Sequence, residues 1–205
     1  MILMALDVST TTIGIAIIEY DDGYQPSVMY SDWIRPNATG KKWHELTPVE
    51  QLEIIRDTSL EIHKLAKMFL IDEFVIEDYV RFMGGGSTAN TIIPLAILNS
   101  SLRMTIWRDF GIEPQPLSVM KIRHALKLAK DLPTKEEIPK LLDKILKRKA
   151  HDWEYKTNKR TKKKELTQEM YDVADAIAAG LAYVKIKSSP KKKRTPKKRS
   201  SRKRK

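Results

Sequence analysis

Residues 5–16 read Ala5-Leu6-Asp7-Val8-Ser9-Thr10-Thr11-Thr12-Ile13-Gly14-Ile15-Ala16. An apolar strand, a polar turn and a second apolar strand follow one another, and the first strand carries a single acid, Asp7. A lone carboxylate in such a strand is costly to bury unless a cation or hydrogen bonds compensate it. Asp7 therefore reads either as a metal ligand or as a turn residue bonded to the Thr10 or Thr11 backbone. Outward from this stretch, Ile2 to Asp7, Ile13 to Tyr20 and Ser27 to Trp33 give three strands of an antiparallel meander, with Asp21-Asp22-Gly23 as a hairpin signal. Pro48 opens a helix that runs to Leu70, with Leu52, Ile55, Ser59, Ile62, Ala66 and Phe69 as its expected buried stripe. Phe74-Val75-Ile76 is a short buried strand ending on Glu77-Asp78.

The triple glycine in Arg81-Phe82-Met83-Gly84-Gly85-Gly86-Ser87 predicts a mobile loop. Residues 90–110 follow as a helix apolar over most of its length, expected to be buried, with Gly111 ending it. Ile112 to Leu117 is extended, a candidate fifth strand limited by its prolines. Ser118 caps a short basic helix over Val119 to Leu128, and Lys135 to Lys149 is a further amphipathic helix. Residues 150–164 read as a polar, basic loop, and Leu166 to Val184 as a final helix with a small-residue face suited to close packing. From Lys185 onward Ser, Pro, Lys and Arg dominate, a composition that cannot offset the entropy of folding. The expected organisation is one domain over 1–184 and a disordered basic tail over 185–205.

Asp172-Val173-Ala174-Asp175-Ala176 places two acids three apart, on one face of the final helix. Compensation of the helix dipole is the plain alternative, but Glu165 and Glu169 already precede them. Strand ends and a helix start can bring carboxylates to one point, where they repel unless a hard cation neutralises them. Asp7, Glu77, Asp172 and Asp175 thus form a candidate oxygen-only set for Mg²⁺, with Mn²⁺ able to substitute. Such a set points to phosphodiester chemistry by two ions. Which of Glu77 and Asp78 is the ligand is left open by the pattern, because alternation sends them to opposite faces.

The net charge is +12, and it is unevenly placed. Residues 1–120 hold 9 Lys/Arg against 16 Asp/Glu, residues 121–164 hold 16 against 6, and residues 185–205 hold 13 with no acid. An acidic body beside a basic segment and a basic tail suits a polyanionic partner near a metal site. Lys121, Arg123 and Lys135 are candidate phosphate contacts, each also readable as part of an ordinary solvated helix face. Tyr79, Phe82 and Trp43 are candidates for stacking on unpaired bases, with core packing as the alternative. Pro190-Lys191-Lys192-Lys193-Arg194 suits either nuclear import or nonspecific DNA attachment. Zero cysteines, no secretory segment and no apolar run of spanning length predict an intracellular protein: cytoplasm or nucleoid, or nucleus if the tail is an import signal.

The order of these motifs resembles the RuvC-type Holliday-junction resolvases of the RNase H-like superfamily. The likeness covers residues 2–184 and rests on Asp7, Glu77 and Asp172-x-x-Asp175-Ala176. Asn90 with its apolar helix, Val119-Met120-Lys121 and Lys135 extend it. It implies an α/β RNase H-like fold, a mixed five-stranded sheet (three antiparallel strands, then parallel ones) flanked by helices. It favours Glu77 over Asp78, and it implies two Mg²⁺ per site held by Asp7, Glu77, Asp172 and Asp175, with Asp172 either a direct ligand or a support behind the ligands. On the substrate side it implies DNA contacts by Lys121 and Lys135, beside which Arg123, Phe82 and Tyr79 stand as the further candidates for DNA contact. It further implies a homodimer that cuts a four-way junction by paired nicks, leaving 5′-phosphate and 3′-hydroxyl ends. Asp7-Val8-Ser9 departs from the usual Asp-Pro-Gly, and the 150–164 segment and the basic tail are additions. A flap- or fork-selective nuclease, a sugar-kinase or actin-like phosphotransferase, and a noncatalytic DNA-binding protein are the competing readings. The second of these lacks here the length for a duplicated domain and a second glycine-rich phosphate loop.

Overall fold

The computed structural model describes residues 1–21, 23, 25–78, 89–127, 132–157, 162 and 164–189. β1 (Ile2–Val8), β2 (Ile13–Tyr20) and β3 (Pro26–Ile34) form the antiparallel meander. β4 (Glu73–Glu77) joins β1 in parallel, and β5 (Gln115–Leu117) joins β4 in parallel. The sheet order is β3-β2-β1-β4-β5, so the first strand lies at the centre.

Alternation along the central strands decides what each side of the sheet holds. Leu3, Ala5, Ala16, Ile18 and Val75 face one layer, built by α3 (Val119–Leu126), α4 (Ile138–Leu146) and α5 (Gln168–Ser188). Met4, Leu6, Ile15, Ile17, Phe74 and Ile76 face the other, built by α1 (Pro48–Phe69) and α2 (Ala89–Phe110). Two steps beyond Ala5 and Val75, the same phase turns Asp7 and Glu77 toward the α5 side.

Two glycines let α5 lie directly on the sheet. A Cβ on Gly14 would stand 2.0 Å from the Asp172 carbonyl oxygen, and one on Gly180 would stand 2.4 Å from Ile18 Cδ1. At its far end the helix is tied down by polar contacts. Lys187 Nζ donates to the Tyr20 hydroxyl (2.9 Å) and pairs with Glu73, while Tyr20 donates to Glu73 Oε2 (2.5 Å). Burial and the Glu73 carboxylate push the Tyr20 phenol up to about 12.

Several expectations are corrected. The buried line of α1 is Ile54, Thr58, Ile62 and Ala66, and Leu52 is exposed. Trp43 and Leu46 fold onto Ile54 and set the rotation of the helix, whose start is fixed by the reciprocal cap between Thr47 and Glu50. α2 buries only Pro94, Leu98, Asn99, Leu102 and Ile106, because the sheet offers it one wall. Its other face leaves Ile93, Ile97, Met104 and Trp107 in solvent. The helix expected from Lys135 begins as a 3-10 turn over Lys135–Glu137 and ends at Leu146, with Lys147 left-handed. Within the expected 150–164 loop, β6 (Tyr155–Thr157) and β7 (Lys164–Leu166) pair as a small ribbon, anchored by buried Leu166. Glu165 therefore belongs to a strand rather than to the last helix. α5 starts at Gln168 behind a Thr167 cap and continues to Ser188, four residues into the stretch assigned to the tail. The glycine loop and residues 190–205, with the disorder and import-signal readings attached to them, lie outside the described residues.

Candidate active site

Asp7 and Glu77 emerge side by side because β1 and β4 are parallel, with Leu6 paired to Ile76 one step earlier. Across the other edge of β1, Asp7 pairs with Gly14. That glycine is the point where the Asp172 backbone meets the sheet. The first turns of α5 are thereby pressed against the strand end that carries Asp7, and Asp172 and Asp175 share the helix face there. The four acids meet around the ends of β1 and β4 and the start of α5, where Asp172 is only 4% exposed and the other three are half-buried.

Their electrostatics reflect the crowding. Burial, then Glu77, Asp175 and Asp172, hold the Asp7 carboxyl well above its usual range, with Lys135 opposing. Burial, then Asp175, raises Glu77, against Lys135 and Arg123. Burial raises Asp172 to about 6, although Lys135 and a hydrogen bond from Gln168 pull it down. Asp175 is raised by burial, against Lys135 and Arg123. In every case desolvation is the largest effect.

The turn after β1 is built by Ser9, not Asp7. Ser9 Oγ accepts from the Thr12 amide (3.0 Å) and donates to the Thr12 carbonyl (2.6 Å). Asp7 is left to the cluster. Lys135 Nζ stands 3.2 Å from Asp175 Oδ2 and 3.8 Å from Asp172 Oδ1. Arg123 on α3 acts on Glu77 and Asp175 from the side, whereas Lys121 is exposed on the same helix. Tyr79 and Phe82 lie outside the described residues. Trp43 is buried against Leu46 and Ile54, so its place is core packing rather than base stacking.

Three supporting residues escaped the sequence reading. Gln168 donates to Asp172 Oδ1 at 2.9 Å, and its helical i,i+4 spacing to Asp172 was a usable signal. Asn99, fully buried on α2, donates to the Glu77 carbonyl at 3.1 Å and fixes the end of β4. Gly14 is the third, and only the packing of α5 reveals it.

The donor chemistry suits a hard divalent cation: carboxylate oxygens only, desolvated, with Asp172 Oδ2 buried and lacking any hydrogen-bond partner. As placed, no three acid or imidazole groups among the described residues stand close enough to grip one ion. The Lys135 ammonium lies among the carboxylates instead.

The five-stranded order, with helices on both faces and acids at the ends of the two central parallel strands, is an RNase H-like fold. Within that class it is the fold of the RuvC-type Holliday-junction resolvases. RuvC of Thermus thermophilus, in complex with a Holliday junction substrate, matches 91% of this chain and 95% of its own at a TM-score of 0.63 and 12% identity. The yeast mitochondrial Holliday junction resolvase matches 89% of this chain and 77% of its own, with a TM-score of 0.56 and 12% identity. The Fowlpox virus resolvase, in complex with Holliday junction DNA, matches 92% and 100%, with a TM-score of 0.50 and 15% identity. No protein-family model matches the sequence, and no curated protein matches it. Among the described residues, no helix is long and apolar enough to cross a membrane.

Proposed function

We propose that this chain is a metal-dependent endonuclease that resolves four-way DNA junctions by paired symmetric nicks. The observation that carries the reading is the meeting of Asp7, Glu77, Asp172 and Asp175 on a RuvC-type fold. These four carboxylates would hold two Mg²⁺, or Mn²⁺ in their place. The chemistry such a pair supplies when bound is activation of a water and stabilisation of the leaving 3′-oxygen.

The chain's own side chains do the remaining work. Gln168 orients Asp172 by its hydrogen bond, and Asn99 holds the backbone that carries Glu77. Arg123 and Lys135 place positive charge beside the acids, where the flanking phosphates of a DNA strand would arrive. Lys121, exposed on the same helix as Arg123, would meet the backbone further out. Hydrolysis on this arrangement leaves a 5′-phosphate and a 3′-hydroxyl, which a ligase can reseal. Two opposed cuts need two sites, and a two-fold dimer supplies them. The solvent-facing Ile93, Ile97, Met104 and Trp107 of α2 are the apolar surface such a dimer would cover.

The test is a labelled four-way junction with Mg²⁺ or Mn²⁺, set beside flap, fork and duplex substrates. Wild type is expected to give paired nicks near the branch with ligatable ends. Asp7→Asn is expected to bind and not cut. Equal cutting by that variant would remove the site assignment, and faster cutting of flaps or forks would move the substrate class. No cutting of any substrate would favour a noncatalytic DNA-binding role.

A further inference from the structure

Lys135 reaches from the turn before α4 to the two acids of α5. Its ammonium points into the acidic cluster, pairing with Asp175 at 3.2 Å and approaching Asp172 at 3.8 Å. It also lies 5.3 Å from the centre of the Tyr171 ring, one residue before Asp172. The lysine stands on the 3-10 turn ahead of α4, whose N-terminal Thr134 is locked to Glu137 by a reciprocal cap. Its backbone is therefore held, while four rotatable bonds leave the ammonium free to swing. With a side chain still 38% exposed, it has a way out to solvent. The carboxylates around it are desolvated and mutually repelling, and no three of the described acids stand close enough to share one ion.

Resting on the metal-dependent reading above, we propose that Lys135 is the resident counter-ion of the acidic site. In the metal-free protein its ammonium neutralises Asp172 and Asp175 and keeps α5 seated on Gly14. Entry of a divalent cation displaces it toward solvent, where it becomes available to a phosphate. One side chain thus has two positions, and metal loading sets which it takes. The order is metal first, DNA grip second. Two cations competing for the same oxygens also means that the lysine weakens metal binding in return for a stable empty site.

The test uses the full chain with Mn²⁺ and Ca²⁺ as probes and needs no cleavage. Calorimetric titration of Lys135→Gln is expected to show Mn²⁺ binding about tenfold tighter than wild type, equivalent to ~1.4 kcal/mol. The same variant is expected to melt lower without metal and to gain more from its addition. Lys144→Gln, which removes an exposed charge from α4, should leave both quantities unchanged. Independently of any variant, acylation of Lys135 read by mass spectrometry should rise when Ca²⁺ is added to wild type. Wild type that binds Mn²⁺ with unchanged affinity in Lys135→Gln overturns this inference alone, as does Lys135 acylation indifferent to Ca²⁺. If neither protein binds Mn²⁺, the counter-ion role and the metal-dependent reading fall together.

Discussion

Replacing Gly14 by alanine adds a single methyl group at the point where α5 is pressed onto the sheet. The new Cβ would stand 2.0 Å from the Asp172 carbonyl oxygen, 2.3 Å from its carbon and 2.8 Å from the Val173 nitrogen. These are backbone atoms within a helix and cannot rotate aside. To restore even a tight contact of about 3 Å, the start of α5 must lift by roughly 1 Å from the strand that pairs with Asp7. Overpacking of this kind costs about 1–3 kcal/mol, or roughly 3–10 °C in Tm for a chain of this size. The displaced residue is Asp172 itself, which the proposed function places in the catalytic site, where a 1 Å misplacement can cost about 100-fold in rate. Gly180→Ala provides the contrast. Its nearest obstacle is the end of the Ile18 side chain at 2.4 Å, with Ala5 Cβ at 3.1 Å, and it lies eight residues, about 12 Å, further along the helix. Thermal unfolding and single-turnover junction cleavage measured together separate the two. Gly14→Ala should lose both stability and at least about 100-fold in rate, and Gly180→Ala should lose stability with cleavage within about threefold of wild type. A Gly14→Ala protein that cuts at the wild-type rate would refute the account of how α5 delivers its acids.

The metal-free protein should become less stable as pH rises. Burial lifts Asp172 from 3.8 to about 6, so the folded state holds its proton more tightly than the unfolded chain, and stability is lost between those values. The loss is on the order of 3 kcal/mol from Asp172 alone, at about 1.36 kcal/mol per unit. Asp7, raised in the same direction, adds to it, and saturating Mg²⁺ should cancel it; a Tm series from pH 4 to 8 with and without Mg²⁺ reads the sign. Asp7→Asn replaces a carboxylate that burial and three neighbouring acids disfavour, so chemical denaturation without metal should show it at least as stable as wild type while cleavage is abolished. Lys187→Ala breaks the tie of α5 to Tyr20 and Glu73 and should cost about 1 kcal/mol in urea unfolding without changing cleavage. Trp107→Glu places a charge on the solvent-facing stripe of α2 and should yield monomers in sedimentation with wild-type Tm.

What the chain reveals of itself depends on whether a residue's role is local or arises from packing. Asp7 and Glu77 were readable because period-two alternation fixes a strand's faces without knowledge of its neighbours, and parallel pairing of β1 with β4 then sets them side by side. The Asp172–Asp175 pair was readable for the same reason at helical period. Leu52 was not, because the face α1 buries is chosen by Trp43 and Leu46 arriving from a segment with no regular pattern. The short ribbon of β6 and β7 was hidden in a run of charged residues, since pairing there is decided by the anchor Leu166 and by the need to return the chain to Thr167. Gly14 looked like one more small residue in an apolar strand, yet its missing side chain is what admits the Asp172 backbone. Lys135 is the sharpest case: the charge pattern gave it to DNA, and the geometry gives its ammonium to the acids first. The two assignments are compatible only if something replaces that positive charge when DNA arrives. On the proposal above, a divalent cation taking up the same carboxylates would do so, and the order of metal and DNA binding would then be a property of one lysine rather than of the fold.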